Sequence, residues 1–288
     1  MSKRISYTQV SMYNHCPWKW KLTYIDKHRD FAGNMHTIFG TSMHEVLQMY
    51  LLVMYGQTAK KADSLDLNKM LLHRMTHNYK ELKDSGADID IKKADMNEFY
   101  NDGVEILDFF RKRRGEYFSK KGYSLLGCEI PIELKLDKEL NWIGYLDVVM
   151  KDDVRDVIRI IDIKTSTQGW NKYMKADKSK SDQLLFYKKF YSDLYNHPVD
   201  KIEVEFFILK RKLWENAAFP QKRVQKFIPA SGKPSINKTF KGLEIFIDEA
   251  FTDDGEYNMD TEYQKKPSDK NCRWCEFKSN SELCDRGK

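Results

Sequence analysis

Two stretches, Trp142–Met150 (WIGYLDVVM) and Arg159–Thr167 (RIIDIKTST), decide the fold. Both are rich in β-branched residues and alternate in character, which predicts strands. In the second, Asp162 and Lys164 are two apart and share a face, while Ile161 and Ile163 take the other. In the first, strict alternation sets Asp147 with Ile143, Tyr145 and Val149. The linker KDDVRD makes the pair a hairpin, with its loop at Lys151–Arg155. A one-residue slip would move one aspartate to the other face, and the favourable register gathers Asp147, Asp162 and Lys164. Two carboxylates and an ammonium among Ile, Val, Leu and Trp are costly to desolvate unless something compensates. Mg²⁺ suits such a place, since it takes a few carboxylate oxygens, water and a substrate phosphate. It would lower the pKa of a water and neutralise phosphate charge, and a nearby lysine would position that water. On the residues alone, an Asp–Lys pair on a solvent-facing strand remains the other reading.

Further strands are predicted at Leu125–Leu136 and Lys201–Lys210, and a helix at Asp182–Tyr195. Upstream, residues 5–25 are aromatic and broken by Pro17, with a helix from Trp18. Ser42 and Glu45 have the spacing of a capping box, which would start a helix burying Met43, Val46, Leu47, Tyr50, Leu51 and Met54. Residues 56–118 are polar and helix-forming, split into two helices by Ser85–Asp88, and read as a helical insert. The order gives an α/β core with an N-terminal helical part and a basic tail, without internal repeats.

The chain has 288 residues, 41% hydrophobic and 32% charged, enough for a sizeable core and unlike collagen-like or disordered chains. MSKRISYTQV lacks an apolar signal region, and the apolar run Met49–Tyr55 falls short of the ~18 residues of a membrane span. A soluble intracellular protein is therefore expected. The net charge is +6, yet residues 201–241 alone carry ten Lys/Arg against three acids. A second basic run covers Arg111–Lys121. Positive charge beside Tyr, Phe and Trp fits nucleic acid, with Lys210, Arg211 and Lys212 as candidate phosphate contacts; a solvated lysine-rich surface fits it too.

Of five cysteines, Cys128 sits in a strand-like run and reads as core. Cys272 and Cys275 form C-x-x-C, Cys284 follows eight residues on, and no His occurs after His197. A metal centre there needs a remote fourth ligand, for which Cys16, before Pro17, is the candidate.

The strings Gly144–Asp147 (GYLD), Asp162–Lys164 (DIK) and Gln183–Tyr187 (QLLFY), preceded by SYTQVSMYNHCPWKWKLTYI and FGTSMHEVL, resemble the RecB-like branch of the PD-(D/E)XK nuclease superfamily. They come in the family's order and span residues 5 to about 190. The resemblance implies a restriction-endonuclease-like core, a mixed sheet flanked by helices, in one nuclease domain over 1–288. It implies that His44, Asp147, Asp162 and the Ile163 carbonyl hold Mg²⁺ or Mn²⁺, and that Lys164 is catalytic. Gln183 and Tyr187 would orient the site or touch DNA, and Glu129 stands where a supporting acid often sits. Cys16, Cys272, Cys275 and Cys284 would hold a [4Fe–4S] cluster, with residues 268–288 closing onto Cys16; the long last gap leaves structural Zn²⁺ open. The implied activity is a metal-dependent deoxyribonuclease, an exonuclease on single strands or DNA ends, in recombination, repair or replication. The alternative is a catalytically silent DNA-binding accessory protein, against which the complete Asp147, Asp162, Lys164 set argues. No Walker motif is present, so helicase activity would come from a partner.

Overall fold

The computed structural model describes residues 3–28, 33–87, 89 and 91–285. Its centre is a mixed sheet of six strands: β1 (Arg4–Ile5), β2 (Tyr123–Lys135), β3 (Asn141–Asp152), β4 (Val157–Ser166), β5 (Ile202–Lys210) and β6 (Val224–Phe227). The order is β1-β3-β4-β5-β6, with β2 along the other edge of β3. The β4–β5 pair is parallel and its crossover is helical, as a parallel connection requires. The helices are α1 (Tyr7–His15), α2 (Pro17–Tyr24), α3 (Met35–Gly56), α4 (Ala59–Asp63), α5 (Leu67–Asp84), α6 (Lys93–Arg113), α7 (Lys172–Ala176), α8 (Lys178–Tyr195), α9 (Lys233–Ala250) and α10 (Asp269–Cys272).

Both sheet faces are covered, which explains the unbroken apolar run of β5. Phe206 and Ile208 join a core with Trp20, Trp142, Phe186 and Phe246, on the side of α1, α2, α8 and α9. Phe207 and Leu209 join the opposite core, with Met43, Leu71 and Phe110 of α3, α5 and α6. Gly103 lets α6 approach closely, since a Cβ there would lie 2.5 Å from Leu71 and 3.0 Å from Phe39.

The predicted strands all form, and the α/β class with a mixed sheet between helices is correct. Several details differ. Pairing continues to Asp152↔Val157, so the turn is residues 153–156 rather than Lys151–Arg155, with the Asp152 carboxylate accepting from the Val154 and Arg155 amides. Ser42 is not a cap: α3 starts at Met35, capped by Asn34, and buried Ser42 donates to the Ile38 carbonyl one turn earlier. Part of the supposed basic tail, Lys233–Ala250, is the amphipathic helix α9, burying Ile236, Leu243, Phe246 and Ile247. Residues 56–118 form α4, α5 and α6, one short helix more than expected; of the Ser85–Asp88 break, Asp88 lies outside the described residues. Among the described residues, no helix is long and apolar enough to cross a membrane.

Candidate active site

Strands β3 and β4 pair from Val157 to Ile161 against Asp152 to Val148 and then part. One step further, the same count sets Asp147 across from Asp162, so the favourable register is the one formed. The alternation of β3 slips there. Leu146 and Val149 enter one core, Val148 and Met150 the other. The Asp147 side chain consequently projects edgewise into the gap, where its Oδ2 accepts from the Ile163 amide at 2.7 Å. A carboxylate has replaced a ladder carbonyl.

Strand β2 shifts register earlier, between Leu125 and Gly127, and at the level of Asp147 its ladder has a gap without a further shift. Its pairing with β3 runs through Cys128↔Val148 and resumes at Ile130↔Leu146. Between them Glu129 has φ +51°, a left-handed backbone that costs a non-glycine residue on the order of 1 kcal/mol. Gln48 Nε2 joins the two irregularities, donating to Glu129 Oε1 (2.6 Å) and to the Asp147 carbonyl (3.1 Å).

Helix α3 presents His44 and Gln48 one turn apart. His44 Nδ1 lies 3.4 Å from Asp147 Oδ2. Burial, with the Lys164 charge, pushes its pKa down, so the imidazole is neutral near pH 7 and has a free lone pair. On β4, Lys164 Nζ is 2.8 Å from Asp162 Oδ2 and 3.2 Å from Gln183 Oε1. Gln183 Nε2 donates in turn to Tyr187 Oη (2.9 Å). Gly144 makes room for this pair: a Cβ there would come within 2.9 Å of the Tyr187 ring.

Burial raises both carboxyls, Asp147 to about 6 and Asp162 to about 6, with Lys164 opposing. Burial works to lower Lys164, but Asp162 and Asp147 outweigh it and its pKa is raised. Among the described residues, no three His, Cys, Asp or Glu side chains already form a metal cage. The donor set nevertheless fits a hard cation. Asp162 is 2% exposed, and its Oδ2, although close to Lys164, has no aligned hydrogen-bond donor. That oxygen, met only by the Lys164 ammonium, stands beside Asp147 and a neutral His44, in a site with more carboxylate than one ammonium balances.

The structure thus gathers His44, Asp147, Asp162, Ile163, Lys164, Gln183 and Tyr187. Sequence reasoning missed Gln48, whose signal was a buried polar residue one turn after His44 on an apolar helix.

Five of the ten basic residues of the 201–241 stretch are held in ion pairs. Arg211 is 9% exposed, and its guanidinium meets Asp102 (2.7 Å) and Glu98 (3.0 Å) of α6 and lies over the Phe99 ring. Lys212 pairs with the same two acids, Lys222 with Glu116, Arg223 with Glu105 and Lys226 with Glu205. Arg211 and Lys212, read from the sequence as candidate phosphate contacts, thus tie the end of β5 to α6. Lys210 is not among these pairs.

Cys16, Cys272, Cys275 and Cys284 line one small cavity of about 30 Å³, with Trp18, Leu22 and Phe277. All four are free thiols, and burial pushes Cys275 up. The Trp18 indole donates to the Leu283 carbonyl (2.9 Å), and Asn271 donates to the His15 carbonyl (2.8 Å), docking the C-terminal segment on α1 and α2. The last residues of that segment, Arg286–Lys288, lie outside the described residues. Cys128 packs at the edge of the α3 core, its thiol raised by burial to about 12.

The divided end of the sheet thus brings two carboxylates and a lysine together. The family model of the PD-(D/E)XK nuclease superfamily matches residues 4–280, and the chain belongs to that superfamily. No curated protein sequence matches it. Among solved structures, that of SSO0001 is similar at 11% identity and a TM-score of 0.41, over 100% of this chain and 88% of the other. A "Putative exonuclease" from Eubacterium rectale is similar at 9% identity and a TM-score of 0.43, over 85% of this chain and 79% of the other.

Proposed function

We propose that this chain is a Mg²⁺- or Mn²⁺-dependent deoxyribonuclease of the RecB-like branch, acting as an exonuclease on single strands or DNA ends. The observation that carries the reading is the meeting of Asp147, Asp162 and Lys164 at one point of a superfamily fold. Asp147, Asp162, His44 and the Ile163 carbonyl would hold the cation, which supplies an activated water and charge neutralisation on the phosphate. Lys164 stabilises the added negative charge as water attacks phosphorus and the bond to the leaving oxygen breaks. Gln183 and Tyr187 hold the Lys164 ammonium in place, and Glu129, through Gln48, supports the Asp147 backbone.

In the same reading, residues 1–288 are one nuclease domain, 56–118 its helical insert, and 268–288 a segment closing onto Cys16. The four cysteines hold a [4Fe–4S] cluster or, failing that, a structural zinc. The work belongs to recombination, repair or replication in a reducing compartment, with strand separation supplied by a helicase partner. Digestion of end-labelled single- and double-stranded DNA, linear and circular, with Mg²⁺ or Mn²⁺ tests it. Mononucleotide release from linear DNA only is the expected result; cleavage of circles would overturn the exonuclease assignment, and no cleavage of any substrate the enzymatic one.

A further inference from the structure

Two lysines outside the catalytic set converge on one loop beside it. In the β4–β5 register Lys164 lies level with Ile208, and Ser166 with Lys210. Lys210 is thus one strand over and two residues beyond Lys164, on the same face of the sheet. On α8, Lys180, Gln183 and Tyr187 follow one stripe at i, i+3 and i+7, so Lys180 sits one turn beyond the glutamine that touches Lys164.

Both side chains end at Gly169–Trp170, the loop leaving β4. The Lys180 ammonium is 5.5 Å from the centre of the Trp170 ring. The Lys210 stem fills the place of the missing Gly169 side chain: a Cβ there would lie 2.8 Å from Lys210 Cδ, and φ is +89°. The loop is fastened on both sides. Ser166 Oγ exchanges hydrogen bonds with the Gly169 amide and carbonyl, and the Gln225 side chain does so with those of Trp170. Among the described residues neither lysine forms an ion pair, whereas the basic residues of the following segment, from Arg211 to Lys226, are paired. Burial alone lowers the pKa of Lys210, which marks an ammonium that no carboxylate compensates.

We propose that Lys180 and Lys210 form a subsite for the phosphate next to the scissile one on a single DNA strand. The inference rests on the nuclease reading and deepens it. It centres the polyanion contact on the loop between β4 and α8, where two cations without ion pairs suit the backbone of a single strand.

Charge is removed with the stems kept, in Lys180→Met/Lys210→Met. Binding of a fluorescent single-stranded oligonucleotide is measured against salt without divalent cation, and hydrolysis is measured on that strand and on thymidine 5′-(p-nitrophenyl phosphate), a diester with no neighbouring phosphate. Two lost contacts should flatten the salt slope by about 1.4. Activity on the oligonucleotide should fall at least about tenfold more than on the chromogenic diester. Lys222→Met, which removes a cation already paired with Glu116, should keep the wild-type slope. An unchanged slope in the double variant, or equal losses on both substrates, would overturn the subsite. If the wild type hydrolyses neither substrate, the nuclease reading fails, and the binding slopes still decide on the lysines.

Discussion

Lys164 Nζ lies 2.8 Å from Oδ2 of Asp162, two residues earlier on the same strand, and that oxygen has no aligned donor. The contact is an ion pair between a rotatable ammonium and a buried carboxylate. It leaves the carboxylate able to turn toward a cation and the ammonium able to turn toward a phosphate.

Replacing either partner should therefore remove chemistry rather than structure. Asp162→Ala and Lys164→Ala should each lower metal-dependent cleavage by at least about 10²-fold, with an unchanged circular dichroism spectrum. Wild-type rates in both variants would remove these residues from the site.

The raised carboxyls set a pH dependence. Asp147 and Asp162 ionise near 6 in the folded chain, above the 3.8 of an unperturbed group. Their contribution to stability is present below about 3.8 and is lost as pH rises through about 6. A cation must displace those protons, so Mn²⁺ affinity should climb between pH 5 and 7 and level off above. Calorimetric titration at the two pH values checks this; equal affinities would contradict it.

Arg211 and Asp102 are each about nine-tenths buried against one another, and removing one strands the other. Arg211→Ala should cost about 3 kcal/mol in urea unfolding. Lys222→Ala, at an exposed pair, should change stability by less than about 1 kcal/mol.

The cysteine cavity gives a metal test. Protein purified without oxygen should be brown with about four irons per chain, and Cys16→Ala should lose both the colour and part of the stability. Cys128→Ala should stay brown. One zinc per colourless chain would replace the cluster and leave the nuclease chemistry untouched.

The hairpin and its D-x-K strand were legible because alternation of Ile, Asp, Ile and Lys has only one β interpretation. The slip of β3 at Asp147 and the left-handed Glu129 opposite it were not: a single left-handed residue leaves the apolar–polar string almost unchanged, and Glu129 reads simply as a polar residue between Cys128 and Ile130. A local count of charge shows only one side of each pair. Arg211 and Lys212 look like a polyanion contact in a window of forty residues, but their partners Glu98 and Asp102 stand over a hundred residues earlier, where no local window reaches. Helix α9 was hidden by Lys233, Lys238 and Lys241, although Ile236, Leu243 and Ile247 lie one or two turns apart.

The first strand has a consequence for synthesis. Arg4 and Ile5 pair with Asn141 and Trp142, the Lys3 ammonium meets Glu256, and Trp18 bonds to Leu283. On a ribosome, Arg4 and Ile5 would wait for Asn141 and Trp142, and Trp18 for Leu283, before their hydrogen bonds close. Until then the aromatic segment from Tyr7 to Tyr24 stays uncovered, a sticky leader on a nascent chain. Slow translation of residues 256–285 would lengthen that exposure, and chaperone dependence should track it.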